Sequence, residues 1–218
     1  MTSIAIIGAG PGLGAAVARR FGREGFSVAL VSRGRDRLDR LVSGLEAVGV
    51  RARGYAADVR DRAALADALD SAAAGLGAVE VLQYSPVPSS EFLRPVLETT
   101  VEDLAAAVEF SVLGLATAVA RVLPGLRESR RGSILLVNGA SAVTPNGAVA
   151  GTSTAFAGES AYGAMLHDAL APENIHVGQL VVPGAIGGGD PVFAPEALAE
   201  RLWRIHAERG SYRTTVGG

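Results

Sequence analysis

The chain has 218 residues, a formal net charge of −2 and no cysteine, and all 20 of its lysine-plus-arginine positions are arginine. The missing amine excludes Schiff-base chemistry, a phosphate-loop lysine and lysine-assisted acid catalysis, and the missing thiol excludes disulfides, thiolate nucleophiles and cysteine-ligated metal centres. A sequence pI of about 5.9 offers no basic footprint for nucleic acid or an anionic membrane. With 39 alanines and 28 glycines the composition points to a genome-wide bias as the general cause of lysine depletion. No run approaches the roughly 20 charge-free apolar residues of a membrane span, and MTSIAIIGAGPG lacks the basic segment and apolar run of a leader. A cytoplasmic protein without nucleic-acid or membrane partners is expected.

Short β-branched runs alternate with alanine-rich amphipathic stretches along the chain. Strands are predicted at Ile4 to Ile7, Ser27 to Ser32, Arg51 to Ala56, Val79 to Gln83, Ile134 to Val137 and His176 to Val182. Helices are predicted over 12–24, 35–48, 61–75, 100–129 and 152–171, with a last one over 195–209. This order predicts βαβ units and an α/β, doubly wound parallel sheet with helices on both faces, and the nearly continuous apolar strands fit a sheet buried on both sides. Thr100 and Asp103 have the spacing of a capping box, Gly25 and Gly49 stand where helices should stop, and Pro172 ends the 152–171 helix. No repeat or linker divides residues 1–218, so one nucleotide-binding domain is expected, with 184–210 as a flexible loop and helix over a substrate pocket.

The most informative segment is SIAIIGAGPGLGAAVARRF, a strand, a glycine-rich turn and a helix. Gly8, Gly10, Gly12 and Gly14 would let the backbone turn tightly and approach a pyrophosphate, which then meets the free N–H groups and positive dipole of the helix start. The G-x-G-x-x-G pattern would need glycine at Leu13, whereas G-x-x-x-G-x-G is met by Gly8, Gly12 and Gly14. That loop resembles the one in the short-chain dehydrogenase/reductase family. VALVSR, ending at Ser32 and Arg33, resembles the family's second strand. AADV, with Asp58 and Val59, resembles its adenine-contacting turn, and IHVGQLVVPGAI resembles its sixth strand followed by Pro183 and Gly184. The resemblance implies a Rossmann fold, a nicotinamide dinucleotide cofactor, a small-molecule substrate and a homodimer or homotetramer formed through the helices at 100–129 and 152–171. Arginine rather than an acid at the end of the second strand favours NADP(H) over NAD(H). Asp36 nearby could still turn to a ribose, and Pro11 removes one N–H from the loop.

The family works with an Asn, a Ser, a Tyr and a Lys, the lysine making the tyrosine useful as an acid near neutrality. The pattern G-x-I-x-x-x-S-S falls on Gly132 to Gly139, placing the serine position at Gly139. Counting back from Ile175-His176-Val177 places the tyrosine at Thr152 and the lysine at Phe156, and within EFSVLG the asparagine falls at Ser111. All four positions are thus expected to be substituted. Tyr162 is no substitute, since Leu166 stands where its lysine should be, and a packing or interface role is expected for it. Tyr84 and Ser85 replace amides of the fourth-strand segment and, with Ser141, Thr144, Asn146, Ser153 and Thr154, are the polar groups expected to line the substrate pocket. His167, His176 and His206 have no metal-ligand spacing, so no metal is expected, and His206 is of interest only if the last helix covers the pocket. The implied function is an atypical oxidoreductase acting on a small apolar or aromatic metabolite without the usual acid–base pair. The alternatives are an inactive nucleotide-binding scaffold or sensor and, more distantly, an oxygenase, lyase or isomerase on an aromatic substrate.

Overall fold

The computed structural model describes residues 2–217. Six strands follow the predicted runs: β1 Ser3–Ile7, β2 Ser27–Ser32, β3 Ala52–Ala56, β4 Val79–Tyr84, β5 Gly132–Gly139 and β6 Ile175–Val182. Between them lie α1 Leu13–Gly22, α2 Arg35–Glu46, α3 Arg62–Leu76, α4 Val101–Val108, α5 Gly114–Ser129 and α6 Ala150–Leu170, and α7 Pro195–Glu208 follows β6. A seventh strand, β7 Arg213–Thr215, pairs with β6 and was not expected, because Arg-Thr-Thr carries no apolar alternation. The sheet is parallel throughout, in the order β3-β2-β1-β4-β5-β6-β7. The strand order therefore reverses at β1, which pairs Ile7 with Val31 on one side and with Tyr84 on the other. A crevice opens outside the carboxyl ends of strands at such a reversal.

Alternate side chains feed two cores. On one face Ile7, Leu82, Ile134 and Leu136 meet Leu65 and Leu69 of α3, Leu115 and Val119 of α5 and Phe156 of α6. On the other, Ile4, Ile6, Leu30, Val81 and Leu180 meet Val17 and Phe21 of α1, Leu38 of α2 and Leu198 and Leu202 of α7. Each such side chain, fully buried, contributes about 1.5–3 kcal/mol of transfer free energy. The expected capping box is present, with Thr100 accepting from the Asp103 N–H and Asp103 accepting from the Thr100 N–H, each at 3.1 Å.

The helix predicted over 100–129 runs as one over Val101–Ser129, with a π turn at Glu109–Leu113 inside it. There Tyr84 donates its hydroxyl to the Phe110 carbonyl, and Gly114 lies so close to the sheet that a Cβ would stand 2.9 Å from the Val59 carbonyl. The stretch Val101–Ser129 is, by length and composition, apolar enough to cross a membrane. Its Leu115, Ala118, Val119, Val122 and Leu126 are nevertheless buried in the first core. The last helix, α7, packs on α1 through Leu198, Ala199 and Leu202. Of the 184–210 segment, Gly184 and Ile186 reach the crevice.

Candidate functional site

The crevice at the strand reversal holds a cavity of about 830 Å³, within the range of small-molecule and cofactor sites. The β1–α1 turn forms its base with Gly8, Gly10, Gly12, Leu13 and Gly14. Each glycine does something different. Gly8 has φ +88° and faces the Ser85 carbonyl, which a Cβ would approach to 2.6 Å, and a Cβ on Gly14 would stand 3.0 Å from Ala9 Cα. Gly10 and Gly12 have no protein atom within 4 Å of a Cβ position and open onto the cavity, a cradle left for a ligand's backbone approach. Beside it begins α1, whose Ala15 N–H donates to the Gly10 carbonyl at 2.9 Å, whose start has no side-chain cap and whose dipole favours an anion.

One end of the cavity is bounded by Ser32, Arg33, Arg37, Asp58 and Val59. The Ser32 hydroxyl is buried without a hydrogen-bond partner, an orphaned polar atom at the cavity wall. Asp58 accepts the Arg60 N–H at 3.0 Å, which fixes the turn after β3. Arg33 and Arg37 are exposed at this end, and no acid occupies the end of β2. Asp36 lies in the first turn of α2 and does not line the cavity, whereas Arg37, absent from the sequence prediction, does. These residues fit a pyrophosphate-linked dinucleotide: a glycine cradle, a helix start and an unpartnered hydroxyl.

The other end is bounded by Val87, Phe92, Phe110, Phe156, Gly139 and Ile186, a mostly apolar wall. Of the four positions that the sequence register assigns to the tetrad, Gly139 and Phe156 line it and Ser111 and Thr152 do not. Thr152 is buried and donates its hydroxyl to the Phe92 carbonyl at 3.1 Å, so it fastens the 90–93 turn to α6. Ser111, with no exposed surface, donates to the Glu159 carboxylate.

The residues expected at the substrate pocket lie in several places. Ser85 lines the cavity, but Tyr84 has no exposed surface and spends its hydroxyl on Phe110, because alternation along β4 turns it under the sheet against α5. Burial, with the Glu159 and Asp58 charges, pushes its phenol well above the usual range. Asn146 is exposed and accepts the Ala148 N–H at 3.0 Å, and its own N–H donates to Ser153 at 3.0 Å, so both residues shape the turn before α6. Thr144 is exposed, Ser141 lies in the short turn after β5, and neither they nor Pro183 bound the cavity. Tyr162 packs half-buried against the first core. His206 bonds Ser133 at 2.8 Å within a ring cluster of Phe21, Phe26 and Trp203, far from any lid role.

Glu159 was missed. It sits on α6 one turn beyond Phe156, buried at 2% exposure, with Asn138 Nδ2 donating to Oε1 at 3.0 Å and the Ser111 hydroxyl donating to Oε2. Burial pushes its carboxyl up to about 7 against the pull of the two donors. A signal existed, since 152, 156, 159 and 163 fall on one face of the predicted helix beside Phe156, where a charged side chain is out of place.

Comparison with known proteins agrees with this architecture. Residues 2–189 match the short chain dehydrogenase family. The 2,3-dihydro-2,3-dihydroxybenzoate dehydrogenase of Bacillus subtilis is 31% identical over 83% of this chain and 68% of that enzyme. The NADP-dependent 3-hydroxy acid dehydrogenase YdfG of Salmonella typhi is 29% identical over 93% of this chain and 88% of its own. Several other curated relatives are matched over less than half of their length. A short-chain dehydrogenase structure from Rhodopseudomonas palustris superposes with a TM-score of 0.87 at 24% identity, covering 100% of this chain and 98% of that one. With the glycine-cradled crevice, the strand order and a matched span from the first strand to the loop after the sixth, the chain belongs to the short-chain dehydrogenase family.

Proposed function

We propose that this protein is an NADP(H)-dependent oxidoreductase acting on a small apolar or aromatic molecule. The observation that carries the reading is the polarity of one continuous cavity: glycine cradle and arginines at one end, phenylalanine wall at the other. Gly10 and Gly12 would admit the pyrophosphate, the start of α1 would face its charge, and Ser32, Arg33 and Arg37 would hold the phosphorylated ribose. The cofactor, when bound, supplies hydride donation and acceptance. The chain's part is to bind and orient it, and to keep water from the reacting face with Phe92, Phe110 and Phe156.

Thr152 is spent on a backbone carbonyl and Phe156 cannot carry charge, so no phenol–ammonium pair stands at these two positions. Substrates that accept hydride with little electrophilic help, such as quinones and conjugated carbonyl compounds, suit this wall. The same two residues favour a second reading, a nucleotide-binding sensor or scaffold without turnover. The protein as a homodimer or homotetramer is part of the proposal; Met165 on α6 and Leu113 before α5 are exposed apolar groups on the helices involved.

The test is nucleotide affinity and turnover. NADPH should bind more tightly than NADH, and Arg33→Asp should weaken NADPH at least tenfold, the loss of a charge-assisted contact, while sparing NADH. Oxidation of NADPH across a panel of quinones and polycyclic phenols supports the enzyme. Tight NADPH binding with no turnover across the panel selects the sensor, and equal affinity for both nucleotides refutes the cofactor assignment.

A further inference from the structure

Glu159 does nothing in the reading above, yet its surroundings are built. Arg213 on β7 can only donate, and it reaches Gln179 Oε1 from Nε at 2.9 Å and Ser160 Oγ from Nη2 at 2.8 Å. Ser160 in turn donates to Gln179 Oε1 at 2.9 Å. With its oxygen so claimed, Gln179 must turn its amide nitrogen to Asn138 Oδ1, at 2.8 Å, and Asn138 must turn its own nitrogen to Glu159. Donor follows donor from the sheet edge to one carboxyl, which receives at both oxygens. A proton arriving on Glu159 has one acceptor to turn to, Ser111 Oγ.

This carboxyl lies beneath the far end of the cavity. Asn138 and Phe156, its bonded partner and its neighbour one turn back on α6, both line that end. With the phosphorylated ribose at Arg33, a dinucleotide straddling the strand reversal places its other half at the ends of β5 and β6. The oxidised nicotinamide ring is a cation and the reduced ring is neutral. We propose that Glu159 makes this cavity discriminate between the oxidation states of its nucleotide, the ionised carboxylate favouring the oxidised cationic ring and the protonated carboxyl favouring the reduced one. The inference rests on the cavity being the NADP(H) site.

Other ionisable groups surround α6, and Glu159→Gln leaves each of them in place. Tyr84 on β4 is held well above the usual phenol range and Tyr212 beside β7 is pushed up to about 12, both chiefly by burial. Arg213 is a permanent cation. His176 on β6 is held down at about 4 by burial and neighbouring positive charge. Asp103 of α4 is tied to Arg94, Glu109 of the π turn faces Arg60, and Glu173 after α6 is tied to Arg127. Glu91 in the turn after β4 is held low by the Ser89 hydroxyl, and Glu102 is exposed. On α6 itself Tyr162 is raised by burial, His167 hydrogen-bonds the Val177 carbonyl at 2.7 Å and Asp168 is exposed.

Dissociation constants of NADP⁺ and NADPH for the whole protein, measured at about pH 6 and about pH 8, test this directly. The 2′-phosphate titrates in both nucleotides and cancels in their ratio. In the wild type, preference for NADP⁺ over NADPH should grow on the order of fivefold between the two pH values, the lower end of couplings between sites. In Glu159→Gln the ratio should not change with pH. Ser111→Ala, which removes one donor and leaves the carboxyl, should shift the wild-type transition to higher pH, so the test survives failure of either variant to fold. Calorimetry in buffers of different ionisation heat should show more proton release on NADP⁺ binding than on NADPH binding near neutrality, a difference that Glu159→Gln lacks. A pH-independent ratio in the wild type, or the same dependence in Glu159→Gln, overturns the inference and leaves the cofactor assignment standing. Absence of binding of either nucleotide at both pH values overturns both.

Discussion

Replacing Glu159 by glutamine should make the protein more stable, and by an amount that depends on pH. The carboxyl titrates at about 7 in the folded chain against 4.5 for the ordinary group. The folded state therefore holds more protons than the unfolded state between these values, and stability falls as pH rises through that window. Below it Glu159 is neutral in both states and contributes no charge penalty. Above it the buried carboxylate costs about 3 kcal/mol, from the shift converted at 1.36 kcal/mol per pKa unit. Glutamine keeps the shape, accepts from Asn138 and donates to Ser111, but cannot ionise. Urea unfolding of both proteins should thus give similar midpoints near pH 4.5 and a gap that widens to about 3 kcal/mol by pH 8, with a melting temperature higher by roughly 6–12 °C there. His176 and the surface ion pairs are common to both proteins and cancel. Parallel stability curves, or a variant less stable at pH 8, would refute the reasoning, because either would mean that the ionised carboxylate is well compensated where it lies.

Three further substitutions probe the cavity and its supports. Gly12→Asp puts a side chain and a negative charge where a Cβ now meets no protein atom, and fluorescence titration should show both NADPH and NADH losing binding by at least tenfold. Tyr162→Phe should leave turnover within a few-fold, whereas loss of a true general acid costs about 10²–10⁴ in steady-state assays; a loss of that size would move the acid to Tyr162. Tyr84→Phe removes the hydroxyl held by Phe110 and should cost about 1–3 kcal/mol in chemical denaturation while leaving nucleotide affinity unchanged.

The parts of this fold legible in the sequence are those specified by local rules. The strand at Ser27–Ser32 and the capping box at Thr100 appear where pattern and side-chain chemistry place them. The glycine turn was readable because its geometry needs glycine at spaced positions before a helix. The π turn was not, since Glu109–Leu113 scans as ordinary helix and departs from it only where Tyr84 and the approach of Gly114 intervene. The polar residues after β5 misled for a related reason. Ser141, Thr144 and Asn146 look like site residues, but a hydroxyl or amide beside a turn serves the backbone first, as Asn146 does with Ala148. Glu159 carried the opposite signal, a charge on the helix face that carries Phe156, and its meaning depends on Asn138 and Ser111, which are distant in sequence.

The three-residue strand β7 closes the far edge of the sheet. It pairs with β6 at Gln179, Leu180 and Val181, and Val216 just beyond it is buried in the second core. Without it, the carboxyl half of an eight-residue apolar strand would present open N–H and C=O groups to any neighbouring chain, the usual template for edge-to-edge aggregation. A fragment ending at Arg209 would lose this guard together with the arginine that orients Gln179. Its failure would show first as precipitation and only afterwards as lost binding. Solubility of the protein is thus tied to a segment that lines no part of its cavity.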